Sequence, residues 1–148
     1  MVIRFFKVRR TGPKTSAAVC VRSQYPIEIL LVKTRSGRRW TFPKGKVKTA
    51  ESGWAAAARE AEEEAGAKGD VDVLPLGRYR LTRRDEAPTV TAYLLRVSRA
   101  GEDFEPHRDP QWFTLPRARM ALCMGRSDEE AAAVLRIIDM AVARINQA

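Results

Sequence analysis

The chain has 148 residues, 27 Lys plus Arg, 18 Asp plus Glu and one His, for a formal charge of +9. That length suits one domain, 1–148, with a conventional apolar core and no need for staples. Two cysteines, Cys20 and Cys123, and the lone His107 are too few for a disulfide framework or a four-ligand zinc site.

No apolar run approaches the roughly 20 residues that cross a bilayer, so a soluble, cytoplasmic protein without a membrane partner is expected. Residues 1 to 27 carry six basic side chains and no acid, a composition shared with organelle transit peptides. Val2, Ile3, Phe5, Phe6 and Val8 nevertheless read as core material of a first strand. The charge is concentrated: residues 1 to 50 hold 13 basic groups against Glu28 alone, whereas residues 51 to 148 hold 14 basic and 17 acidic. Such a basic segment attracts a polyanion, whether nucleic acid, anionic membrane or a small molecule bearing several phosphates.

In chain order, Thr15–Arg22 and Ile27–Thr34 are β-branched apolar runs separated by a Ser-Gln-Tyr-Pro turn, and the second should be buried on both faces. A basic loop, Arg35 to Arg39, leads to a strand at Trp40-Thr-Phe42, and Pro43-Lys-Gly45 is expected to break regular structure. A helix is predicted from about Ser52 to Ala65, with Ser52 or Thr49 as N-cap and Gly66 just past its end. Val71–Leu81 and Pro88–Val97 read as strands around a tip at Arg83-Arg84-Asp85-Glu86, the second with one wet face. A short strand at Trp112–Thr114 and a short helix after Pro116 follow. Ser127-Asp-Glu-Glu130 is a capping box, opening a helix that buries Ala131, Val134, Leu135, Ile138, Ala141, Val142 and Ile145. This order predicts an α/β or α+β layered fold with a mixed sheet.

The acidic stretch of the predicted 52–65 helix is the chemically informative part. With Glu60 at zero on a helical wheel, Glu63 falls near 300° and Glu64 near 40°, so the three share an arc of about 100°. The expected buried stripe of Trp54, Ala57, Ala58, Ala61 and Ala65 lies beside them, at about 60° to 160°. Like charges so close repel, and a hard divalent cation such as Mg²⁺, held by one or two carboxylates and substrate phosphates, offsets that repulsion.

The longer spacing is more specific. Gly45, five residues, Glu51, seven residues, then Arg59-Glu60-Ala61-Glu62-Glu63-Glu64-Ala65-Gly66-Ala67 resembles the Nudix box, G-x5-E-x7-R-E-U-x-E-E-x-G-U with U apolar, at every fixed position. Both U positions are alanine. The resemblance implies a Nudix-type α/β/α sandwich with a mixed central sheet and Mg²⁺- or Mn²⁺-dependent hydrolysis of a nucleoside diphosphate linked to another group. It implies Glu60, Glu63 and Glu64 as metal ligands, one of the last two acting through water or as a base. Gly45 would let its carbonyl approach the metal, and Arg59 with Glu51 would form a supporting ion pair. Some Nudix enzymes carry the general base outside the box, and Glu105 is the candidate here.

Beyond the box, AAVCVRS, EILLVKT, the RW-x-x-PKGK run, AGAKG and QWF resemble the diphosphoinositol polyphosphate phosphohydrolases, a group that also cleaves diadenosine polyphosphates. A small-molecule polyphosphate substrate also fits the basic segment, with Arg10, Arg22, Arg38, Arg39, Lys44 and Lys46 as candidate phosphate contacts among ten cations between Arg9 and Lys46. Two other activities share the metal site: an ADP-ribose or nucleoside triphosphate pyrophosphatase, with Tyr25, Tyr79 or Trp112 available for stacking though better read as packing. A non-catalytic Nudix-fold module binding a nucleotide or RNA is disfavoured, because all box carboxylates are present. Nucleic acid is not otherwise an expected partner, a capped RNA end excepted.

Overall fold

The structure is a computed structural model and describes residues 14–22, 24–81 and 88–147. The strand expected within residues 2–8, the cations Arg9 and Arg10 and the tip at 83–86 lie outside the described residues.

Among the described residues eight strands form a mixed sheet: β1 (Thr15–Arg22), β2 (Glu28–Lys33), β3 (Trp40–Thr41), β4 (Lys44–Lys46), β5 (Lys68–Val71), β6 (Gly77–Arg80), β7 (Thr89–Arg99) and β8 (Gln111–Thr114). The main path runs β3-β2-β1-β7-β5, with β4 on β1, β6 on β7 and β8 on β2. Among the described residues only β1 and β7 pair in parallel, Ala18 facing Tyr93. Helix α1 (Gly53–Ala65) covers one face; α2 (Leu115–Cys123) and α3 (Asp128–Asn146) cover the other.

The period-2 rule sorts β1 between two cores. Ala17, Val19 and Val21 join Ile29, Leu31, Phe42 and Leu94 under Leu122, Val134, Ile137 and Ile138. Ala18 and Cys20 join Leu30, Val32 and Leu95 under Ala57, Ala61 and Ala65. The alanines of α1 let it approach the sheet closely, which brings any polar side chain on its flank down to the strand ends.

Several expectations are corrected. Pro43 does not end the sheet, because its carbonyl accepts the Ala18 N–H and the chain continues as β4, pairing Gly45 with Ser16. The expected 71–81 strand is two, β5 and β6, since Pro75 lacks the N–H that a continuous ladder requires. Asp72 and Leu76 donate to β7 on either side of the interruption. Strand β7 has no wet face over Ala92 to Leu95, being central and covered by helices on both sides. In α3, Ile137 takes the core place expected for Leu135. Trp54 is 40% exposed and Tyr25 85%, so neither packs as expected; beneath the first turn of α1 the nearest side chain is Tyr93, whose hydroxyl crowds Gly53.

Candidate active site

Helix α1 has firm ends. The Ser52 hydroxyl accepts the Ala55 N–H at 3.3 Å, and Gly66, at φ 63°, turns the chain while Gly66 and Ala67 donate back to Glu62 and Ala61. Glycine is required at 66 twice over, because a Cβ there would stand 2.2 Å from the Glu102 carbonyl oxygen.

Between those ends the acidic face meets β4. The Glu60 carboxylate lies against the Gly45 α-carbon, where a Cβ would stand 2.2 Å from Oε1 and 2.7 Å from Oε2. One turn further, Glu64 Oε2 accepts the Lys44 backbone N–H at 3.1 Å. Glu64 is only 3% exposed and lies inside the helix's buried stripe rather than beside it, with Ala57, Ala61 and Ala65. Burial raises its carboxyl to a pKa of about 7, against opposing pulls from Arg108 and Lys44. Glu63 is half exposed.

Arg59 organises the opposite flank of α1. Its Nε and Nη2 donate to the two Glu51 oxygens at 2.8 and 3.0 Å, Nη1 to Glu60 at 2.8 Å and Glu63 at 3.3 Å, and Nη2 also to the Lys46 carbonyl at 3.0 Å. The Arg59 hydrogen bonds, with a further one from the Lys48 N–H at 3.0 Å, hold the Glu51 carboxyl down at about 2. The same pairing raises the Arg59 guanidinium above its ordinary value.

Glu105 comes to this helix from the far side of the chain. Its backbone N–H donates to the Glu63 carbonyl at 3.1 Å, and its carboxylate accepts Arg108 Nε at 2.9 Å. His107 stands 3.5 Å from the same carboxylate. Arg108 also places Nη2 3.2 Å from Glu64 Oε1, so one guanidinium joins the two carboxylates.

A cationic wall stands opposite. Lys44 has its ammonium destabilised by burial, with the negative charges of Glu64 and Glu60 opposing that and the positive charges of Arg108 and Arg126 adding to it. Arg126, in the turn between α2 and α3, is likewise held below its ordinary value by burial, and Arg39 lies over Gly125 beside it. Arg126 Nε and the Tyr79 hydroxyl are buried without a protein hydrogen-bond partner. Lys46 and Arg38 are exposed.

Arg22 is not brought here. It ends β1 opposite Thr15 and Lys46, bonded to Glu28 at 2.9 Å and stacked 4.0 Å from the Trp112 ring centroid. Sequence reasoning missed Arg108 and Arg126, which lie in loops with no local pattern around them. The faint trace of the first is that Glu105 precedes it by three residues.

No group of three or more His, Cys, Asp or Glu side chains is ready to hold a metal among the described residues. The donors are nevertheless hard oxygens, and the Gly45 cradle that a Cβ would fill keeps the Glu60 carboxylate against the backbone. A Mg²⁺ ion needs only one or two carboxylates when substrate phosphates complete its shell, so the donor set fits.

A family profile described as the NUDIX domain matches residues 12–135. The chain belongs to the Nudix family. It is 36% identical over 110 residues to diphosphoinositol polyphosphate phosphohydrolase 2 of Rattus norvegicus, covering 71% of this chain and 60% of that protein. Against the 3-beta form of Bos taurus the identity is again 36%, over 71% of this chain and 66% of the relative. The matched region thus spans under two thirds of these relatives' length. Among solved structures, a C. elegans Ap4A hydrolase binary complex superposes with a TM-score of 0.63 at 20% identity, over 88% of this chain and 98% of that one. That likeness establishes the shared Nudix fold, an α/β/α sandwich around a mixed sheet.

Proposed function

We propose that this Nudix chain is a Mg²⁺- or Mn²⁺-dependent hydrolase that cleaves a phosphoanhydride bond in a highly phosphorylated small molecule, a diphosphoinositol polyphosphate or a diadenosine polyphosphate. The observation that carries the proposal is the seating of Glu60 on Gly45 and of Glu64 on the Lys44 N–H, which brings two box carboxylates onto consecutive residues of β4. The resemblance to named diphosphoinositol polyphosphate phosphohydrolases supports the substrate class.

In this reading Glu60, Glu63 and Glu64 hold the cation, with the Gly45 carbonyl beside them. Such an ion, when bound, would supply neutralisation of phosphate charge and a more acidic water. The chain does the rest. Arg59 fixes Glu60 and Glu63 from the loop side, leaving Glu51 as its counter-ion. A carboxylate of the set, Glu63, Glu64 or Glu105, accepts the water proton as the water oxygen bonds to phosphorus and the bridging P–O bond breaks. Lys44 and Arg126, with Arg39 beside Gly125, supply positive charge for the phosphates. Arg38 and Lys46 add exposed charge.

The test is kcat/KM with Mg²⁺ over diadenosine polyphosphates of increasing length, a diphosphoinositol polyphosphate, ADP-ribose and nucleoside triphosphates, for the wild type and Glu64→Gln. Preference for the first two classes, with at least hundredfold loss in the variant, is expected. Preference for ADP-ribose or a triphosphate would overturn the substrate class, and near-normal kcat in Glu64→Gln would overturn the site.

A further inference from the structure

Arg108 is buried, and its guanidinium bonds to three separate segments: Glu64 on α1 through Nη2 at 3.2 Å, Glu105 at the start of its own turn through Nε at 2.9 Å, and the Lys33 carbonyl at the end of β2 through Nη1 at 3.2 Å. The turn around it, a single 3₁₀ turn at Pro106–Arg108, is tied down at both ends. Its first residue donates from the Glu105 N–H to the Glu63 carbonyl at 3.1 Å. After it, Asp109 adopts the left-handed region at φ 45°, and its carboxylate is bonded by Gln111 Nε2 at 2.9 Å and approached by Lys33 Nζ at 3.3 Å. A non-glycine residue persists in that region only where its surroundings over-determine it.

We propose that Arg108 is a positioning residue for the reaction: it clamps the 105–109 turn to α1 and β2, so that the Glu105 carboxylate is presented at the box and Glu64 keeps one orientation. It mirrors Arg59, which ties the 46–51 loop to the other flank of the same helix. All three kinds of Arg108 nitrogen are engaged within the protein, so the side chain acts through two carboxylates and is not the hand that holds phosphate. A lysine, with one point charge, cannot span the three partners that the planar fork reaches.

The proposal rests on the hydrolase reading, and the experiment separates the two. In the full-length protein, Arg108→Gln, Arg108→Lys, Glu105→Gln and the double variant Arg108→Gln/Glu105→Gln are compared for kcat and KM with Mg²⁺ and the best substrate of the panel. Amide hydrogen exchange is followed in the same proteins without metal or substrate. Arg108→Gln is expected to lower kcat at least tenfold with KM changed less than threefold. Glu105→Gln should add little to Arg108→Gln, because the two act as one unit. The Glu105 amide should exchange at least tenfold faster while the amides of α1 stay protected. Arg108→Lys should keep the fold and still lose at least fivefold in kcat, which covers the case in which the glutamine variant does not fold. A tenfold rise in KM at unchanged kcat would make Arg108 a phosphate contact and overturn the proposal, as would an unaltered Glu105 exchange rate. If the wild type turns over no substrate of the panel, the hydrolase reading fails, and the exchange rates alone decide whether Arg108 is the clamp.

Discussion

The Glu60 carboxylate packs on the bare α-carbon of Gly45, leaving no room for even a methyl group: a Cβ would stand 2.2 Å from Oε1. The cradle is made by β4 pairing Gly45 with Ser16, which fixes the strand while α1 brings Glu60 down onto it. Gly45→Ala must therefore displace either the strand or the carboxylate. The clash is with the end of a flexible side chain, so the carboxylate is what yields and the fold is little affected. The expected result is a nearly unchanged Tm together with at least a tenfold drop in kcat/KM, read by thermal melts and turnover in parallel. Full activity in a folded Gly45→Ala protein would show that Glu60 does not work from this position.

The Glu51–Arg59 pair carries a pH signature. Glu51 has its folded pKa lowered to about 2, so its stabilisation is fully present above the ordinary carboxylate value of 4.5 and is lost as pH falls toward 2. Glu51→Gln is expected to cost about 1.5–3 kcal/mol at pH 7, the range for hydrogen bonds to charged groups. The deficit should shrink below pH 4. Urea unfolding at pH 7, 4 and 2.5 measures it; a deficit independent of pH would mean that the side chain contributes only packing.

How much of this was legible beforehand follows from the range of the interactions. The cap at Ser52, the glycine at 66 and the acidic arc of α1 are set by neighbours within a few residues and could be read off directly. The burial of Glu64 could not. On the wheel it borders the stripe, and only the closeness of an alanine-faced helix to β4 places it within the core. Arg22 misled for a related reason: membership of the basic segment does not say which end of β1 a cation occupies, and Arg22 lies at the Glu28 and Trp112 end while Thr15 pairs with Lys46 at the other. Arg108 acquires a partner across a long stretch of chain, reaching the Lys33 carbonyl from 75 residues away. No local spacing encodes that contact.

Glu64 works in the opposite sense to Glu51. Its folded pKa is raised to about 7 from 4.5, so the folded state binds the proton more tightly, and its contribution to stability declines as pH rises from about 4.5 through 7. Glu64→Gln removes that penalty and can still accept the Lys44 N–H. The variant should therefore gain stability relative to wild type on going from pH 5 to pH 8, by at most about 3 kcal/mol for a shift of this size. Tm difference against pH, without added metal, is the measurement. A gap that narrowed with rising pH would mean that Arg108 and Lys44 outweigh burial and that the ionised carboxylate is favoured in the fold.

Two cations that look equivalent in the sequence should behave differently in kinetics. Lys44 is half-buried on β4 with its backbone N–H on Glu64, and Lys44→Ala is expected to raise KM at least tenfold for the most highly charged substrates and less for a nucleoside triphosphate. Arg22 is committed to Glu28 and Trp112 at the other end of β1. Its replacement by alanine should leave KM within twofold and cost about 1 kcal/mol of stability, from one exposed ion pair and one cation–π contact. Steady-state kinetics of the two variants on the same substrate pair checks this. A larger KM effect from Arg22 than from Lys44 would move the phosphate-binding surface to the β8 end of the sheet and away from the box helix.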